Sequence, residues 1–138
     1  MLQKRGKVVS ELVITELSSV LSRNKNYVTL VDELSGDRAS SSYAVILYIL
    51  QKFDLLFLPV QQTQVEMPIG NCGNIMSFAV ELSRDIPMKT QDLLHLSYAH
   101  AMMEPTKADI ELITRDREFE IYQSEIYRAA GIKVMYFA

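Results

Sequence analysis

The spacing of apolar residues near the N-terminus changes from that of a strand to that of a helix. Residues 7–9 favour a short strand, and over residues 11–23 apolar side chains recur every three or four positions, at Val13, Leu17, Val20 and Leu21. Asn24 then breaks the pattern, since asparagine favours turns over helix interiors. The beginning of the sequence therefore predicts a strand that leads directly into a helix.

The middle of the chain predicts two further helices and a buried strand. A helix is expected over residues 28–34, before a glycine-aspartate turn. The serines at 40–42 offer capping hydroxyls for a helix over residues 43–53, although the branched and aromatic residues of that stretch also suit a buried strand. The apolar run over residues 55–60 predicts a fully buried strand.

The next part of the chain is expected to form a loop and two helices. Residues 68–73 have the composition of a loop, and residues 74–82 have helical periodicity. Thr90 stands where it would cap the following helix. That helix is expected to end near Met103, because Pro105 follows shortly after.

The C-terminal segment predicts a βαβ unit. A short buried strand over residues 110–114 is followed by one helix, whose apolar face consists of Phe119, Tyr122, Ile126 and Ala129. Gly131 stands where a left-handed helix cap belongs, and residues 132–137 form a closing strand. Since such a crossover makes its two strands parallel, the turn at residues 114–117 lies at the carboxyl end of the sheet, where α/β folds place their sites.

Composition and charge narrow the class of protein. At 138 residues the chain has the size of one domain, so we expect a single domain over residues 1–138. A net charge of −3 argues against a protein that grips nucleic acid by a broad basic surface. It is compatible with a nuclease that holds its substrate through a metal ion, because such a site adds carboxylates.

Neither a membrane span nor a disulfide is expected. The longest uninterrupted apolar run, residues 43–50, is far shorter than the roughly 20 residues that a spanning helix needs. The single Cys72 permits no internal disulfide. We therefore expect a protein of the reducing, cytoplasmic compartment.

Two carboxylates occupy helix positions on the apolar side. Glu16 lies inside the apolar arc of the first helix, and Asp92 shares a stripe with Leu96 and Ala99. A carboxylate in the core is costly unless it is paired, hydrogen-bonded or bound to metal. Each also has a simpler interpretation. Glu16 can reach water from the edge of the arc, and an aspartate in a first helical turn is favoured by the helix dipole.

A third carboxylate, Asp116, directly follows the predicted strand that ends at Thr114. It can be the N-cap of the last helix, or it can bind a metal with the Thr114 hydroxyl orienting it or binding phosphate. Glu16, Asp92 and Asp116 all lie on elements that begin at or near the same end of the predicted sheet, and such hard oxygen ligands suit Mg²⁺ or Mn²⁺. His95 lies on the same side as Asp92 and is a candidate ligand or base, although a histidine so placed is more often structural.

Three motifs, in their order along the chain, resemble the PIN-domain family of VapC-type toxins and archaeal and bacterial ribonucleases. They are VVSELVITELSSVLSR at residues 8–23, MKTQDLLHLSYAHAM at residues 88–102 and LITRDREF at residues 112–119. They are similar to the family's second strand with its acidic helix, to its helix with an aspartate before Leu-His, and to its strand that ends in Thr-x-Asp.

The resemblance implies an α/β fold with three α/β/α layers around a central, mainly parallel sheet. It assigns Glu16, Asp92 and Asp116 as catalytic residues and ligands of Mg²⁺ or Mn²⁺, with Thr114 as a supporting hydroxyl. The implied activity is endonucleolytic cleavage of RNA. A VapC-type toxin would also have an antitoxin protein as a partner, and PIN domains commonly form homodimers.

One departure from the family concerns the first strand. PIN domains open with a hydrophobic strand ending in an aspartate, and no such run lies upstream of Glu16. The resemblance therefore implies a shortened domain with exposed strand edges. Either Met1 is internal to a longer protein, or the chain repairs its sheet by dimerising or rearranging. The alternative function is an inactive PIN-like binding or dimerisation module, and a third is an α/β domain whose carboxylates are capping and surface residues.

Overall fold

The computed structural model describes residues 6–24 and 38–138, with side chains in the second range from residue 43 onward. The chain divides into two compact units, Met1–Pro59 and Val60–Ala138. The expectation of a single domain stays a prediction. None of the helices in the described part of the chain has both the length and the apolar character that a membrane span requires.

The first unit contains two helices and a short parallel strand pair. Its elements are β1 (Lys7–Val9), α1 (Glu11–Arg23), α2 (Arg38–Lys52) and β2 (Leu55–Phe57). Strand β1 pairs in parallel with β2, and Val8 stands beside Leu56. The Ser10 hydroxyl accepts a 3.2 Å hydrogen bond from the backbone N–H of Val13 and so caps α1. The predicted strand at 7–9 and helix at 11–23 are confirmed.

Three predictions for the rest of this unit need correction or lie outside the described residues. Helix α2 begins at Arg38, so the serines at 40–42 lie within the helix and not ahead of it as predicted. The strand predicted at 55–60 ends at Phe57 and is not fully buried, since 61% of Leu56 is exposed. Apolar composition alone cannot show whether both faces of a strand are covered. The helix predicted at 28–34 lies outside the described residues.

The second unit opens with a hairpin where the sequence predicted a loop. Strands β3 (Gln64–Met67) and β4 (Gly70–Gly73) pair antiparallel, with Met67 opposite Gly70. Gly70 has φ 128°, which glycine alone adopts readily, and this lets the chain reverse over two residues. The loop composition of residues 68–73 therefore belongs to a hairpin, with Pro68 in its turn and Gly70 at the start of β4.

Two packed helices, α3 (Asn74–Ser83) and α4 (Thr90–Thr106), follow the hairpin. The prediction that Thr90 caps α4 is wrong, because Lys89 is the N-cap and Thr90 is the first helical residue. The helix also continues past the predicted end, with Pro105 in its last turn. The structure tolerates a proline there because only one hydrogen bond of the terminal turn is lost.

The second unit ends in the βαβ arrangement that the sequence predicts. Strands β5 (Glu111–Thr114) and β6 (Lys133–Tyr136) are parallel, with Thr114 beside Tyr136. The single predicted helix between them is two, α5 (Arg117–Ile121) and α6 (Gln123–Ala130), separated at Tyr122. Strand β5 is also not fully buried, because Ile113 on its outer face is 62% exposed. Gly131 has the predicted left-handed cap conformation, with φ 70°.

The core of the second unit lies between its helices and the inner face of the β5–β6 pair. The side chains that lose nearly all contact with water include Leu82, Ile86, Leu96, Ile126 and Ile132. Among them lies Ser97, whose hydroxyl donates a 2.6 Å hydrogen bond to the Ile75 carbonyl and so joins α4 to α3. The His100 ring stacks on Phe78 with centroids 4.0 Å apart and bonds through Nδ1 to the Ala130 carbonyl. These contacts fix α4 against both neighbouring helices.

The chain is therefore mixed α/β, as predicted at the level of fold class. Its described strands form three sheets of two strands each, and no larger sheet is found among residues 6–24 and 38–138. Two of these pairs are parallel and one is antiparallel.

Candidate metal site

Three carboxylates of the second unit come together at the carboxyl end of β5. Asp92 lies in the first turn of α4, Asp116 is the N-cap of α5, and Glu118 lies in the first turn of α5. Each offers an oxygen atom, and these oxygens all lie within 4.8 Å of one another. Two of the predicted site residues, Asp92 and Asp116, are thus brought together, and Glu118 joins them.

Asp116 is held in place by two hydrogen bonds within a tight turn. Its backbone N–H donates to the Thr114 hydroxyl at 3.0 Å, and its Oδ1 accepts from the backbone N–H of Glu118 at 2.9 Å. The interpretation of Asp116 as an N-cap is therefore confirmed. It does not exclude ion binding, since an ionised carboxylate has about four acceptor positions and the cap uses one of them. Thr114 acts here on the backbone of Asp116.

Asp92 is half-buried at the start of α4, and Leu96 and Ala99, which lie above it on the same stripe, are buried. Burial raises the pKa of Asp92 above its usual value, and the negative charges of Asp116 and Glu118 raise it further. His95 and Lys89 act in the opposite direction. Mutual repulsion thus works against full ionisation of this group, and a bound divalent cation would reverse that effect.

Glu118 was missed from the sequence because residues two apart do not face each other within a helix. Asp116, however, precedes α5 with an extended backbone, φ −85° and ψ 116°, so helical spacing does not apply to this pair. The useful signal was the pair of acidic residues flanking a helix start, in the segment Thr-Arg-Asp-Arg-Glu. The side chains of an N-cap aspartate and of an acidic second helical residue can bring their carboxylate oxygens close together, as Asp116 and Glu118 do here.

Glu16, the third predicted site residue, lies in the other unit. It is half-buried on α1, in the first unit. The three oxygens that lie together are supplied by the second unit alone. The role of Glu16 as a catalytic residue and metal ligand stays a prediction implied by the PIN resemblance. His95 is likewise outside the group, although its charge acts on Asp92.

The three carboxylates fit a small divalent cation. In an octahedral Mg²⁺ site with metal–oxygen distances near 2.1 Å, neighbouring ligand oxygens are about 3.0 Å apart and opposite ones about 4.2 Å, so oxygens within 4.8 Å of one another would draw together by up to about 2 Å around one ion. All three donors are hard carboxylate oxygens, the type that Mg²⁺ and Mn²⁺ prefer. Asp116 is exposed while Asp92 and Glu118 are half-buried, so water or substrate can complete the coordination.

The comparisons with known proteins do not extend these observations. No protein-family model matches the chain, and no match was found among curated proteins or solved structures. The resemblance to the PIN family therefore stays a prediction from three short motifs. The geometry of the carboxylates is the independent observation from which a function can be argued.

Proposed function

We propose that this chain is a divalent-metal-dependent endoribonuclease of the PIN type, with Asp92, Asp116 and Glu118 holding Mg²⁺ or Mn²⁺. The observation that carries the proposal is the approach of three carboxylate oxygens to within 4.8 Å at the carboxyl end of a parallel strand. Open α/β sheets place their ligands at such an end. The three-layer α/β/α architecture around a central sheet is part of the same proposal.

Each residue of the site would have its own role in cation binding. A bound cation would polarise a phosphodiester oxygen and lower the pKa of a coordinated water, which supplies the nucleophile. Asp116, fixed by Thr114 and by the Glu118 backbone, holds its carboxylate in one orientation before any ion arrives. Asp92 contributes a carboxylate whose ionisation the cation favours.

Several parts of the proposal rest on the PIN resemblance alone. These are RNA as the substrate, a role as a VapC-type toxin, an antitoxin protein as a partner, a homodimeric state and a cytoplasmic location. The carboxylate geometry supports the hydrolytic ion site and does not depend on any of them.

The proposal is tested by RNA cleavage with matched acidic variants. Labelled single-stranded RNA is incubated with the protein in Mn²⁺ and in excess EDTA, and products are separated on a denaturing gel. Cleavage is expected in Mn²⁺ only, and Asp92→Asn, Asp116→Asn and Glu118→Gln should each reduce it strongly. Asp109→Asn removes an exposed carboxylate outside the site and should have no effect. Full cleavage by both Asp92→Asn and Asp116→Asn would refute the assignment.

Metal titration separates this function from the inactive-module alternative. Calorimetry or Mn²⁺ electron paramagnetic resonance should show binding to the wild type and weaker binding to Asp92→Asn. A chain that folds normally by circular dichroism but binds no Mn²⁺ at millimolar concentration would instead be a non-catalytic binding or dimerisation module.

A further inference from the structure

We draw no further inference here: the strongest candidate, the exposed apolar stripe of α2 formed by Tyr43, Leu47 and Tyr48, carries nothing, because nothing in the described part of the structure shows what covers it.

Discussion

The backbone N–H of Glu118 donates a 2.9 Å hydrogen bond to Oδ1 of Asp116. Asp116, a candidate cation ligand, is therefore also the N-cap of α5, the helix that carries the candidate ligand Glu118. The two roles draw on different properties of the side chain. Capping needs an acceptor oxygen, whereas cation binding needs the negative charge. Substitutions that keep the oxygen and remove the charge therefore separate them.

Replacing Asp116 by asparagine and by alanine should give different stabilities and the same loss of ion binding. Asparagine caps helices about as well as aspartate, so Asp116→Asn should unfold near the wild-type urea midpoint in EDTA. Asp116→Ala loses the cap and should cost about 1 kcal/mol. Mn²⁺ should stabilise the wild type and should not stabilise either variant. If Asp116→Asn were as destabilised as Asp116→Ala, the negative charge of Asp116, and not its hydrogen-bonding oxygen, would stabilise this turn.

The second prediction concerns the pH dependence of stability through Asp92. The raised pKa of Asp92 means that the folded protein favours the protonated carboxyl group. Protonated Asp92 therefore adds to the free energy of unfolding. This stabilisation is complete below the pKa that Asp92 has in the unfolded chain, and it is lost as pH rises through the pKa that Asp92 has in the folded protein. Asparagine does not titrate. Asp92→Asn should therefore be more stable than the wild type at neutral pH in EDTA, and this advantage should shrink as pH falls through the pKa of Asp92.

Urea denaturation at several pH values, always in EDTA, measures this difference. Asp109→Asn is a suitable control because Asp109 is exposed and lies outside the group of three carboxylates. With Mn²⁺ present at neutral pH the order should reverse, since the wild type gains more binding free energy from the ion than the variant does. A constant difference between the Asp92 variant and the wild type at all pH values would contradict the prediction.

The buried hydroxyl of Ser97 gives a third prediction. Ser97 is 1% exposed and donates a 2.6 Å hydrogen bond to Ile75 of the neighbouring helix. Ser97→Ala should lower the free energy of unfolding by about 1 kcal/mol, because the bond is lost in the core. Ser83→Ala removes an exposed hydroxyl that bonds locally to the Val80 carbonyl, so it should change stability by less than about 0.5 kcal/mol. Equal effects would show that the Ser97 bond adds nothing.

The fourth prediction concerns Gly131, which ends α6 with φ 70°. An added Cβ would lie 3.7 Å from the Met103 methyl group, an ordinary contact, so the cost of Gly131→Ala comes from backbone strain. The variant should lose about 1 kcal/mol in thermal or urea unfolding. Gly6→Ala, at a glycine with no atom within 4 Å of the added Cβ, should lose none. Equal stability of Gly131→Ala and Gly6→Ala would mean that the left-handed conformation of residue 131 costs alanine no backbone strain.

Periodicity predicted the elements whose amphipathic pattern and ends are both encoded locally. Helix α1 has its cap at Ser10 and its break at Asn24, and its bounds agree with the prediction. The parallel pairing of β5 with β6 followed from the length of the helical crossover between them. The predictions of strand burial were wrong where burial depends on contacts with residues outside the strand. The burial of Leu56 and Ile113 depends on what covers each strand, and no pattern within the strand specifies that.

The candidate site could be predicted in part for the same reason. Asp92 and Asp116 broke local patterns, so the sequence marked them and the structure brings them together. Glu118 broke no pattern, because a glutamate near a helix start is ordinary. Glu118 joins Asp92 and Asp116 because Asp116 precedes the helix with an extended backbone, so that helical spacing does not separate the two acidic side chains. A convergence that depends on one residue's backbone angles cannot be seen from spacing.

The break at Tyr122 separates the short helix that carries Glu118 from the longer helix that follows it. Helix α5 has five residues, and α6 begins anew after Tyr122, anchored by the fully buried Ile126. A helix this short has little stability by itself, so α5 depends on its cap at Asp116 and on the buried Phe119. An ion held between Asp92 and Glu118 would tie α5 to the 17-residue α4. Amide protons of α5 should then exchange with solvent quickly without the ion and slowly with it, which makes hydrogen exchange a direct report of occupancy.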